Sequence, residues 1–202
     1  MNSTTNVFVI TGAPGTGKTP IVRELTALGF KGVDEPAREV LAQQRAIGGR
    51  GGYDRDRRLF CDLMLSRAIA DFDRMGGAQT PVFFDRGIPD QIGYAELFGL
   101  DTSMAESAAA VHRYNDVVFA LPSWPEIYVT DSERTMTFES AQAFGERVRN
   151  VYEDLGYTVV VVPRDTIGAR ARIIIETLEK YGRRGMESTR PDNPPLQPTS
   201  DP

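Results

Sequence analysis

The stretch VFVITGAPGTGKTP, residues 7–20, sets an apolar run against a glycine-rich turn closed by Gly17-Lys18-Thr19. The continuous hydrophobicity of Val7 to Ile10 reads as a strand buried on both faces. The eight residues Gly12-Ala13-Pro14-Gly15-Thr16-Gly17-Lys18-Thr19 fit the spacing G-x-x-x-x-G-K-[ST]. In that pattern the glycines let backbone N–H groups point inward at phosphate oxygens. The lysine brings positive charge to the outer phosphates, and the threonine hydroxyl reaches Mg²⁺. The helix expected next adds the positive end of its dipole. These eight residues are therefore expected to hold a nucleoside triphosphate, with ATP and Mg²⁺ as cofactors. A turn that merely joined strand to helix would need neither Lys18 nor Thr19. Pro20 fits the first helical turn, where a missing N–H removes no helical bond.

Three further apolar runs, VFFD (82–85), VVFAL (117–121) and TVVVV (158–162), repeat the buried-strand signature, and FKGVD (30–34) supplies a weaker fifth. Helical periods separate them, in Leu65, Ala68, Ile69 and Phe72, in Ala141, Phe144, Val148, Val151 and Leu155, and in Ile167, Ala171, Ile174, Leu178 and Tyr181. This alternation predicts a three-layer α/β protein on a five-stranded, mainly parallel sheet, and with the glycine-rich loop the expected fold is that of a P-loop NTPase. Ser103 and Glu106 have capping-box spacing for a helix to about residue 112, and Gly156 ends the helix before the last strand. GGRGG at 48–52 is expected to be mobile. Residues 183–202, rich in proline and polar side chains, are expected to form a disordered tail behind one domain spanning 1–182.

Composition narrows the functional classes. At 202 residues and 41% hydrophobic, the chain suits one domain with a full core. A net charge of −5 disfavours non-specific capture of nucleic acid. No apolar stretch approaches the roughly 20 residues that cross a bilayer. Cys61 is alone and cannot form an internal disulfide, and residues 1–12 lack the features of a secretory leader. A cytoplasmic protein without nucleic-acid or membrane partners is the expectation. His112 has no metal-ligand partner at suitable spacing and reads as structural, and Cys61 reads as core.

Two carboxylate–arginine steps stand at predicted strand ends. In parallel sheets the carboxyl ends of the strands face the ligand crevice, and the third strand commonly lies beside the first. Asp85 would then stand near Thr19, where the two could hold Mg²⁺, while Arg86 neutralises transferring phosphate. A strand-end salt bridge or helix cap is the plain alternative. In VDEPAREVL (33–41), Pro36 opens a helix, and Glu35 and Arg38 are placed to face the crevice. Glu35 is the candidate base for an acceptor hydroxyl, with Asp34 as the alternate. A carboxylate that only complements the helix dipole is again the plain alternative.

On these motifs the chain resembles the small P-loop kinase or predicted-ATPase group that includes the ribosylnicotinamide kinase domain, and more distantly the deoxyribonucleoside kinases. The resemblance spans roughly residues 6–180, through the phosphate loop, DEPAREVL, FFDRGIPDQIGYAELFG, RYNDVVFALP, YVTDSERTMTFE and YEDLGYTVVVVP. It implies Glu35 as base, Asp85 as the Mg²⁺-associated carboxylate and Arg86 as a phosphate contact. Deoxyribonucleoside kinases usually have Glu and Ser where this chain has Asp85 and Gly87. The resemblance further implies a helical lid at about 131–153 whose Arg134 closes over the phosphates.

The acceptor is expected between the DRGIPD segment, the Glu35 helix and the arginine-rich stretch 45–58, with Asp90, Tyr94 and Trp124 as candidates to orient it. Arg45, Arg50, Arg55, Arg57 and Arg58 would serve an acceptor already bearing phosphate, or simply solvate a loop. The leading expectation is phosphoryl transfer from ATP to a hydroxyl of a small molecule, a nucleoside, a ribosyl compound or a hydroxylated antibiotic. An NTPase switch and a nucleotide-binding regulator without turnover are the alternatives, Pro20 favouring the last.

Overall fold

The computed structural model describes residues 5–130 and 136–187. Its five strands are β1 (Val7–Gly12), β2 (Lys31–Val33), β3 (Val82–Asp85), β4 (Val117–Leu121) and β5 (Thr158–Val161). They form one parallel sheet in the order β2-β3-β1-β4-β5. Seven α-helices fall among the described residues: α1 (Lys18–Ala27), α2 (Ala37–Ala46), α3 (Arg57–Met75), α4 (Ile88–Leu97), α5 (Ser103–Val111), α6 (Phe138–Asp154) and α7 (Ile167–Glu187).

Strand alternation explains the three layers. On one face Val7, Val9, Val82, Phe84 and Val118 pack with Leu65, Ile92, Ala109 and Val148 of α3, α4, α5 and α6. On the other, Phe8, Ile10, Phe83 and Phe119 pack with Ile21 and Leu25 of α1 and Ile174 of α7. The expected α/β fold class and five-stranded parallel sheet are what the molecule has. β3 lies beside β1, with Ile10 in register with Asp85, which brings the two site-bearing strand ends together.

Several local expectations change. The run 158–162 reads as buried on both faces, yet β5 is an edge strand and Val161 is 52% exposed. The α5 cap sits one residue earlier than expected: Thr102 is the N-cap, and its hydroxyl donates to Glu106. The glycine segment 48–52 is stitched down, with the N–H of Gly49 donating to the Gln44 carbonyl and that of Gly51 to the Gln44 side chain. α7 continues to Glu187, past the expected domain end at 182. The expected lid span divides: 131–135, with Arg134, lies outside the described residues. Most of the remainder is α6, which buries Ala141, Phe144, Val148, Val151 and Tyr152. No described helix is long and apolar enough to cross a membrane.

Candidate active site

The phosphate loop leaves β1 at Gly12 and enters α1 at Lys18. Gly12 has φ 136°, and a Cβ there would lie 2.4 Å from the Leu121 carbonyl oxygen of β4. Only glycine fits that position without strain. Pro20 is accommodated because the first helical bond runs from the Ile21 N–H to the Gly17 carbonyl, so no bond is missing. The Lys18 ammonium is buried and donates to the carbonyls of Gly12 (3.2 Å) and Ala13 (2.8 Å). Burial, together with the Arg86 charge, brings it down to about 8 against the pull of Asp85, Glu35 and Asp90.

Asp85 ends β3 beside this loop. Its Oδ2 accepts from the Thr19 hydroxyl at 2.5 Å, while Oδ1 is buried with no hydrogen-bond partner among the described residues. Burial pushes the Asp85 carboxyl up to about 6, against the Lys18 charge. A hydroxyl and a carboxylate oxygen lacking a partner form the hard-oxygen set that Mg²⁺ takes when phosphates and waters complete its shell. Among the described residues no cluster of three or more His, Cys, Asp or Glu could hold a metal by itself. The residues therefore fit a metal that arrives with the nucleotide.

Arg86 is the hub. It has φ 72°, a left-handed conformation rare for a residue with a side chain. Its N–H donates to the Ile10 carbonyl, and its side chain is 2% exposed. Nε donates to Glu35 Oε1 at 2.8 Å, and Nη1 donates to the Gly12 carbonyl at 3.0 Å and to Asp90 Oδ1 at 2.9 Å. The rings of Tyr94 and Phe144 flank the guanidinium at 5.5 and 5.6 Å. Strain of this kind persists only where the surroundings over-determine it, and here six contacts do so.

Glu35 follows β2 in the turn before α2, and its side chain is 25% exposed. Oε1 also accepts from the Tyr94 hydroxyl at 3.2 Å. Burial opposes its charge, but Arg86 and Lys18, with the hydrogen bonds from Arg86 and Tyr94, outweigh it and hold the carboxyl below its ordinary value. Burial raises the Tyr94 phenol well above its usual range, so it stays a donor.

Lys18, Thr19, Asp85, Arg86, Glu35 and Tyr94 thus converge as expected. Other expected residues do not. Asp90 is fully buried: Oδ1 accepts from Thr11 and Arg86, and Oδ2 from the Gly87 N–H and the Tyr152 hydroxyl. With four donors already bound, it orients Arg86 and does not meet an acceptor. Trp124 lies after β4, its ring 5.9 Å from the guanidinium of Arg170 on α7. Asp34 and Arg38 are both exposed.

Three arginines of the 45–58 stretch have nearby partners. Arg50 pairs with Asp56, Arg55 donates to the Gly49 carbonyl, and Arg57 donates to the Tyr53 carbonyl while covering Phe98. His112 is structural, bonded to the Ala108 carbonyl and stacked edge-on with Phe72. Cys61 is buried, and burial raises its thiol to about 11.

Sequence reasoning missed Thr11, Tyr152 and Arg170. Tyr152 lay within the α6 stretch, but a tyrosine there reads as core. Thr11 read as the last residue before the glycine turn. A cavity of about 240 Å³ also opens beside Gly12, between α6 and the ends of β4 and β5, lined in part by Gln142, Arg149 and Arg164.

The sheet order, the phosphate loop and the acidic strand ends define a P-loop NTPase fold. The chain belongs to the AAA domain family, whose model matches residues 7–170. No curated protein matches it. Solved structures share the fold at low identity. Deoxyadenosine kinase from M. mycoides, solved with dCMP and dCDP, is 16% identical at a TM-score of 0.65, covering 86% of this chain and 99% of that one. The NadR protein in complex with NR is 21% identical at 0.64, covering 89% of this chain and 52% of its own, so this chain spans about half of it. Thymidylate kinase from Ehrlichia chaffeensis is 17% identical at 0.55, with 85% and 97% covered.

Proposed function

We propose that the chain is a small-molecule kinase that moves the γ-phosphoryl group of ATP to a hydroxyl of a nucleoside or ribosyl-type compound, hydroxylated antibiotics being the neighbouring acceptor class. One observation carries this reading: Arg86 joins the carboxylate of Glu35, a partly exposed side chain, to the Gly12 carbonyl of the phosphate loop. A carboxylate so placed can orient an acceptor hydroxyl, and the acceptor dependence measured below separates that role from orienting a water. Pro20 no longer favours a regulator without turnover, because it displaces no helical bond.

In this mechanism Glu35 accepts a hydrogen bond from the acceptor hydroxyl and orients its oxygen for in-line attack. Its lowered pKa keeps it ionised at neutral pH, so it positions the hydroxyl first and takes the proton late, as a loose transition state requires. The new bond forms between the acceptor oxygen and the γ-phosphorus, the bridging bond to the β-phosphate breaks, and ADP leaves. Lys18 and Arg86 offset charge on the phosphoryl oxygens, and the loop N–H groups hold the remaining phosphates. Thr19 and Asp85 would hold Mg²⁺, which when bound neutralises charge between the outer phosphates. The arginines of 50–57, engaged locally, support an acceptor without phosphate. ATP dependence fits the cytoplasm as its place of work.

Following ADP release with Mg²⁺ and ATP, with and without a panel of nucleosides, ribosides and hydroxylated antibiotics, tests the reading. Release that rises with one acceptor class supports it, and acceptor-independent release favours an NTPase switch instead.

A further inference from the structure

Arg170 has no part in the chemistry so far, yet among the described residues it is the bulkiest fully buried side chain, only 2% exposed. It sits in the first turn of α7, and its Nη1 donates to the Thr16 carbonyl of the phosphate loop at 2.9 Å. Contact continues to the next loop residue, since a Cβ on Gly17 would stand 3.2 Å from the same nitrogen. Nε and Nη2 are buried with no hydrogen-bond partner among the described residues. Trp124 covers the guanidinium from the other side. Burial lowers its pKa, and the charge that opposes this is Asp165, which is exposed.

Such a group is costly. A buried guanidinium with two unpartnered donors opposes folding, and an apolar side chain of similar volume would pack there at less cost. A neutral donor would suffice to hold the Thr16 carbonyl. What the charge adds is a positive potential directly behind Thr16 and Gly17, whose N–H groups belong to the phosphate cradle, in a low-dielectric setting where screening is weak. An anion in the cradle is the counter-charge that this position lacks.

We propose that Arg170 is a positioning residue of the donor site: it fixes the Thr16–Gly17 stretch and carries a charge whose counter-ion is the polyphosphate itself. This inference rests on the reading of the loop as a triphosphate site. It makes α7 part of that site, although its sequence shows only a helical period, and it requires affinity to depend on Arg170 more steeply with each added phosphate. The chemical step is left to Lys18, Arg86 and Glu35.

The test is the affinity of the full chain for Mg-ATP, Mg-ADP and AMP, measured by calorimetry for the natural protein, Arg170→Met and Arg170→Gln. Met keeps the packing without the charge, and Gln also keeps a donor for Thr16, so the second variant reads the charge if the first does not fold. Both are expected to lose about tenfold or more in Mg-ATP affinity, less in Mg-ADP and almost nothing in AMP. Trp124 is the only tryptophan. Its emission should therefore change on Mg-ATP addition in the natural protein and lose that response in the variants. An equal loss for all three nucleotides marks a structural role and overturns the inference, as does no loss at all. If the natural protein binds none of the three, the triphosphate reading itself fails, a result distinct from variants that bind as well as the natural protein.

Discussion

Arg86 Nε lies 2.8 Å from Glu35 Oε1 across 51 residues of sequence, and the same guanidinium reaches the Gly12 carbonyl. The candidate base is therefore tied to the phosphate loop through one side chain. That side chain is in turn fixed by Asp90, which draws further donors from β1, from Gly87 just before α4 and from α6.

Loosening this support should lower catalysis without touching any group that meets substrate. Tyr152→Phe removes one donor to Asp90 and is expected to cost about 1 kcal/mol of stability. Asp90→Ala leaves the Arg86 charge buried with one partner fewer, and about 3 kcal/mol or more is expected. Both should lower kcat, and denaturant unfolding beside steady-state kinetics checks the pair. Full kcat in Tyr152→Phe would mean that Asp90 holds Arg86 adequately without the Tyr152 hydroxyl.

Lys18 sets an alkaline limit. In the free protein its ammonium titrates near 8, so kcat/KM for ATP should fall as pH rises through that value. Tyr94 does not share this window, since burial holds its phenol well above the usual range. Because the folded value lies below the ordinary 10.5, the folded state binds fewer protons than the unfolded one between about 8 and 10.5. Stability from this group rises with pH across that interval. Rate profiles and thermal midpoints taken over the same pH range separate the two effects.

Asp85 acts in the opposite sense. Its carboxyl is raised from 3.8 to about 6, so the folded state holds a proton that the unfolded state has released between those values, and stability falls as pH rises through them. Asp85→Asn should flatten that slope and abolish the dependence of ATP binding on Mg²⁺. Retention of the full metal dependence by the variant would remove Asp85 from the metal site.

Gly12→Ala should be among the most damaging small changes. It places a Cβ 2.4 Å from a β4 carbonyl oxygen at a φ of 136°. A loss of about 2–4 kcal/mol is expected, with triphosphate affinity reduced as the loop shifts. A variant with unchanged melting temperature and affinity contradicts the geometry.

Much of this was legible in the sequence because its signals are local. The glycine spacing of 12–19 and the apolar runs of β1, β3 and β4 are contiguous, so pattern alone places them. Glu35, Asp85 and Arg86 were found because strand ends of a parallel sheet converge, a rule of topology. Asp90 was misread because nothing local says that its four donors come from Thr11, Arg86, Gly87 and Tyr152. β5 was misread because an apolar run carries no mark of an edge. Arg170 was invisible: its partner Thr16 lies 154 residues away, and an arginine in a surface-facing helical period reads as solvated.

The most direct measurement is transfer of label from γ-³²P-ATP into a nucleoside or riboside acceptor at saturating ATP, comparing the natural chain with Glu35→Gln. The account predicts labelled acceptor from the natural chain. In the variant it predicts a kcat lower by about a hundredfold or more, with ATP affinity within about twofold. Equal transfer by both proteins, or label appearing only as free phosphate whatever acceptor is present, would contradict it.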